Sequence, residues 1–361
     1  MKYILLLFVL LGSFTLFLAC DKENSEAAFD RSKMLENYAR NIIQPQSADF
    51  RAKILALQEA IELLLTDTDE AKLATAQDKW EKSYKAWMKM NSFNFGPGGT
   101  EGLRRTLAEE IGTWPVDIEN IEAKIADPNF VLNDSKRNTR GLLAIEYLLF
   151  ETEHINTVND WTTARKEYLQ AVINKLEGQV AAFDEAWQGT YANEFIDNDG
   201  TAVRSSTTQM YNEFIRSYES IKDLKIGIPF GSIAGTVVRP EFVEARFSQH
   251  SLEYALLHYA ALVDLWYGRK ANGEDGIGWE EYLLSVEGGA ALVADTKAQF
   301  DKIETAIAAL PTDTPLQELA VSQNQAVLDF EQALQELTRY LKGDLSSLLS
   351  LAITFSSMDG D

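Results

Sequence analysis

The stretch "RGLLAIEYLLFE" (residues 140–151) places one carboxylate, Glu146, in an otherwise apolar run. On a helix the surface neighbours of position 146 lie three and four residues away. They are Leu142, Leu143, Leu149 and Phe150, and Arg140 is too far back along the turn to reach it. A buried, unpaired carboxylate costs several kcal/mol or stays protonated. The run therefore predicts a buried helix whose Glu146 meets a side chain, a metal or a ligand from elsewhere in the fold.

The same periodicity recurs along the chain. "MLENYARNII" (34–43), "RAKILALQEAIELLL" (51–65) and "EAKLATAQDKWEKSYKAWMKM" (70–90) carry apolar residues three and four apart. So do "TTARKEYLQAVINKLEGQVAAFDEAW" (162–187), "EFVEARFSQHSLEYALLHYAALVDLWY" (241–267) and "NQAVLDFEQALQELTRYLK" (324–342). No stretch alternates with period two long enough for a strand. The pattern predicts an all-α protein of long, up-and-down bundle helices. Gly and Pro punctuate it in "FNFGPGGTEG" (93–102) and "GIPFGSIAG" (227–235), while "WPVD" (114–117) predicts a helix with Pro115 near its first turn.

The 361 residues exceed what one core usually serves. The turn-rich "GTYANEFIDNDGTAV" (189–203) predicts a boundary between bundles at 31–197 and 198–361. Its "DNDG" does not fit a calcium loop, because Phe195 and Ser206 occupy the first and last ligand positions.

The opening "MKYILLLFVLLGSFTLFLAC" pairs one N-terminal Lys with an apolar core and ends on Cys20, the only cysteine. This predicts a lipoprotein signal at 1–19, lipidation at Cys20 and a polar tether at 20–30. The expected partner is a membrane, reached through the acylated Cys20, and the expected location is the cell envelope, at the outer membrane. A net charge of −22 disfavours nucleic acid and anionic surfaces and tolerates cations.

Placing Glu146 over Glu253 aligns "GLLAIEYLLFE" with "SQHSLEYALLHY" (248–259) and matches Glu-Tyr in both. The two bundles thus read as a duplication. The alignment sets His250 opposite Leu143. His250 and Glu253, at i and i+3, form a candidate half-site for divalent iron or zinc, with Glu146 as the candidate third ligand. His154 and His258, the other two histidines, have no ligand-like pattern.

Four motifs, in order, then resemble those of the imelysin-like lipoproteins. They are "WPVD" (114–117), "RGLLAIEYLLFE" (140–151), "FSQHSL" (247–252) and "LAITFSSMDGD" (351–361), and "FNFGP" (93–97) fits the same pattern. The resemblance implies two helical bundles with a functional site near their interface, and a link to iron acquisition. It also implies the insulin-cleaving metallopeptidase label under which the family was named. The family's Gly-x-His-x-x-Glu maps onto Gly141, Leu143 and Glu146, so the histidine is replaced. Its second signature maps onto Glu244, Ser248 and Ser251, which with Gly141 and Glu146 form the candidate ligand-binding set. Three functions compete: a binding or accessory lipoprotein, a metallopeptidase, and a structural lipoprotein whose Glu146 pairs with a buried cation. Leucine can neither bind metal nor move a proton, so the first is favoured.

Overall fold

The computed structural model describes residues 29–99, 106–151, 161–233 and 236–355. The signal peptide, Cys20 and His154 lie outside the described residues. Every regular element among the described residues is helical.

The chain runs α1 (Arg31–Glu36), α2 (Gln44–Thr66), α3 (Glu70–Met90), α4 (Leu107–Ile111), α5 (Ile118–Ala126), α6 (Gly141–Phe150), α7 (Thr163–Gln188) and α8 (Tyr191–Asp197). There follow α9 (Ser206–Glu219), α10 (Ser251–Trp266), α11 (Trp279–Leu284), α12 (Gly289–Ile307), α13 (Leu316–Val321), α14 (Gln325–Thr338) and α15 (Leu345–Leu349). Three wider, π-helical segments interrupt it, at Asn37–Ile43, Ser220–Gly227 and Arg339–Asp344.

Local chemistry sets the long helices. The Asp69 side chain accepts from Lys72 N–H and starts α3, and Thr162 does the same for α7 through Arg165 N–H. Along α3, Ala76, Trp80, Tyr84 and Trp87 are buried at helical spacing. Helices α2, α3, α6 and α7 pack on one another, and α10 lies against α3. In the second half α12 packs on α14, and α14 on the Ser220–Gly227 segment.

Arg31–Asp361 is one compact unit. Within it the expected halves, 31–197 and 198–361, interlock. The Arg31 guanidinium donates to Asp199 O at 2.6 Å. Asn37 Nδ2 donates to Gly268 O at 2.7 Å and Ile277 O at 3.0 Å, and the Tyr38 hydroxyl donates to Leu265 O.

Two local expectations are corrected. Pro115 follows a cis peptide bond and precedes its helix; α5 begins at Ile118, capped by Asp117, which accepts from Asn120 N–H at 3.1 Å. The run from 241 is not one helix either. Only Ser251–Trp266 is, because Ala245 (φ 51°) and Gln249 (φ 64°) take left-handed conformations that no helix admits.

Candidate functional site

Helix α6 is buried from Gly141 to Leu149. Gly141 (φ 81°) starts it hard against α4: a Cβ there would lie 2.4 Å from Ile111 O and 2.7 Å from Glu110 O. Glycine is needed at 141 for close approach, and no ligand-binding role is required to explain it.

Glu146 is 1 % exposed, facing the segment between Glu244 and His250. Its Oε1 accepts from Ser248 N–H at 2.8 Å, and the Phe247 N–H adds to the cradle. The left-handed Ala245 bends the backbone here. Its carbonyl accepts the hydroxyls of Ser248 and Ser251, each at 3.1 Å. These serines lock a turn whose amides cradle the carboxyl. Burial nonetheless pushes the Glu146 carboxyl up to about 8, with the Ser248 and Phe247 bonds holding it down and Glu244 adding to the rise. Near neutrality Glu146 holds its proton.

Glu244 pairs with Lys225 instead. The Lys225 ammonium is 2.5 Å from Glu244 Oε2, both side chains are almost fully buried, and Met88 Sδ lies 3.3 Å from the same nitrogen. Burial lowers the Lys225 pKa, and Glu244 pulls it back up. The Tyr84 phenol is pushed up by burial, then by Glu244 and Glu146. Tyr84 sits between Trp80 (4.9 Å between ring centres, stacked) and Tyr254 (4.8 Å, edge-on). Ser92 Oγ donates to Ser217 Oγ at 2.8 Å, leaving the Ser217 hydroxyl to donate to His258 Nε2 at 2.6 Å. Burial, then Lys225, hold His258 well below its ordinary pKa, so the imidazole is neutral.

This polar centre is closed. The void bordered by Trp114, Pro115, Leu143, Glu146, Val243 and Phe247 measures about 10 Å³, room for one water at most. Trp114 and Pro115 have a second side, facing an open pocket of about 410 Å³. Trp87, Asn94 and Thr113 of the first half and Glu213, Leu224 and Phe242 of the second are among the residues that line that pocket. It is mostly apolar with a few polar groups, the usual make-up of a small-molecule seat. A depression of about 630 Å³ beside Arg246 and Phe247 is larger and more polar.

The sequence-predicted residues thus divide. Glu146, Glu244, Ser248 and Ser251 converge on the buried centre. His250 and Glu253 do not join it: His250 stands at the cap position that starts α10, with its Nδ1 3.6 Å from Glu253 Oε2, and both are roughly half exposed. Glu253 pairs with Lys85 at 2.6 Å, while His250 lies 3.9 Å from Glu81. Sequence reading missed Lys225, Tyr84, Ser217, His258 and Glu213. The signal for Lys225 was available, since "LKI" (224–226) sets a lone cation between apolar neighbours as Glu146 is set.

The imelysin family model matches residues 43–342, and the chain belongs to the imelysin family. Its fold is similar to a candidate iron-regulated protein A precursor from Parabacteroides distasonis (TM-score 0.74, 18 % identity, 90 % of this chain and 97 % of that one). It is also similar to an imelysin-like protein from Psychrobacter arcticum (TM-score 0.68, 16 % identity, 90 % and 97 %). A comparison with curated proteins finds no match.

A metal of the kind a family peptidase would need does not fit these residues. Leu143 stands where a histidine would ligate, Glu146 is docked on backbone amides, and Glu244 is taken by a cation that would repel a second one. Among the described residues no three His, Cys, Asp or Glu side chains converge to hold a metal ion.

Proposed function

We propose that this chain is a membrane-held binding protein of the cell envelope, an accessory to the uptake of iron or another metal. Its ligand sits in the 410 Å³ pocket between the two halves. The observation that carries this is the division of labour around Trp114–Pro115. One side faces the pocket, and the other is backed by a closed polar centre built from Glu146, Ser248, Lys225 and Glu244. Buried, ion-paired and hydrogen-bonded groups give a rigid wall, which is what a preformed binding site requires. They offer no group in reach of a substrate. In this reading Glu146, Glu244, Ser248 and Ser251 shape the ligand's seat without touching the ligand.

The test is native mass spectrometry on the chain extracted from envelopes of iron-replete and iron-starved cells. A small molecule bound near one per chain is expected, lost when Thr113→Trp fills the pocket. No bound species, or the same species on the filled variant, sinks the proposal. The membrane part is tested separately: Cys20→Ala should abolish acyl labelling and release the mature chain from the membrane fraction.

A further inference from the structure

We propose that the 410 Å³ pocket selects ligands carrying an N–H donor, an amine foremost, on a flat apolar body, and that Glu213 reads the donor. This rests on the reading of the pocket as the ligand seat.

Trp114, Pro115, Leu224, Ile228 and Phe242 give the pocket its apolar surface. Several of its polar side chains are already engaged by the fold. Asn94 donates to Asn91 O and accepts from Ala108 N–H, each at 2.8 Å. Ser217 is held between Ser92 and His258, Ser220 donates to Ser217 O at 2.8 Å, and Thr113 donates to Glu109 O at 2.6 Å.

Glu213 differs from these in being both buried and short of a partner. It is 8 % exposed, and its Oε2 is buried without any hydrogen-bond partner. Its other oxygen meets only Arg216, at 3.3 Å. The Arg216 side chain is itself nearly half exposed and folds over the Phe355 ring, 4.9 Å from its centre. A buried carboxylate oxygen left unbonded is costly, and native folds rarely tolerate one without a reason. A donor brought in by the ligand supplies that bond. The Trp87 indole N–H, also lining the pocket, is likewise buried and unpartnered, and it awaits an acceptor on the same ligand.

The aromatic wall does not select the amine. Lys225 already places its ammonium 5.8 Å from the centre of the Trp114 ring, so that ring has little attraction left for a second cation. Selection falls to Glu213.

The experiment uses the purified chain, isothermal titration and three probes of one shape: 2-phenylethylamine, its methyl-ether analogue and 3-phenylpropionate. The amine should bind at least about tenfold tighter than the ether, as a charge-assisted hydrogen bond predicts, and the acid weakest. Glu213→Gln should remove the amine's advantage while leaving ether affinity within about twofold, which also reports that the variant is folded. Equal affinities for amine and ether, or an advantage that survives Glu213→Gln, overturns the assignment to Glu213 and leaves the pocket standing. Failure of all three probes to bind the wild type overturns the pocket reading, and this inference with it.

Discussion

Two glutamates followed by tyrosine flank the same helix and live in different solvents. α3 packs against both α6 and α10. Its Trp80 indole donates to Leu142 O of α6 at 2.7 Å, and its Lys85 pairs with Glu253 of α10 at 2.6 Å. Glu146 is buried and protonated near neutrality, cradled by amides. Glu253 is 43 % exposed and merely ion-paired. Dipeptide identity therefore did not carry the environment. What differs is the rest of each helix: α6 is apolar all round, whereas α10 opens with its acidic residue in a first turn that faces water. An amphipathic helix gives its carboxylate a way out, and a wholly apolar one does not.

This contrast can be broken by substitution. The largest effect is expected at Lys225, which neutralises the buried side of the comparison. Lys225→Met leaves Glu244 buried and uncompensated, and denaturant unfolding should show a loss of about 3–5 kcal/mol. Most of it should return in Lys225→Met/Glu244→Gln. Gly141→Ala comes next, at about 1–3 kcal/mol from backbone conformation alone, with the Ile111 carbonyl overlap adding to it. A loss below about 0.5 kcal/mol would show that α6 can shift away from α4.

The third test follows pH. Folding raises the Glu146 pKa from 4.5 to about 8, so the folded state holds a proton that the unfolded state has released in that window. Its contribution is fully present below 4.5 and is lost as pH rises through 8. Wild-type stability should fall relative to Glu146→Gln by up to about 1.4 kcal/mol per pH unit between those limits. Parallel pH profiles would place the Glu146 proton elsewhere. The smallest effect belongs to Glu253→Gln, under about 1 kcal/mol at any pH, because an exposed pair with Lys85 is screened. A loss matching that of Lys225→Met would erase the distinction between the two regions.

Helix content was legible because period and caps agreed: Asp69, Thr162 and Asn324 each accept from the first turn of a helix expected at that place. Glu146 was legible because its own helix offered it nothing. The break at 241–250 was not. "EFVEARFSQH" has helical composition, and the left-handed Ala245 and Gln249 are imposed by the tertiary demand to present amides to Glu146. His250 and Glu253 do face each other, 3.6 Å apart, but at the surface and away from Glu146. Glu213 was hidden for another reason. Within "STTQMYNEFIRSYE" it reads as half of a surface pair with Arg216, and only the packing of α9 shows one of its oxygens sealed from water.

The interlock between the two ends of the chain has a consequence for the order of folding. Asn37 finds its partners at Gly268 and Ile277, 231 and 240 residues further along. At synthesis rates of about 5–20 residues per second, the first helix waits roughly 10–50 s for that part of the chain to exist. During that time Met34, Leu35, Ile42 and Ile43, all buried in the finished molecule, lack much of their final cover. Closing so long a loop is also slow, since its entropy is lost before the contacts repay it. The emerging protein therefore exposes apolar surface around Met34 and Ile42 early in its life and is a natural client for a holding chaperone.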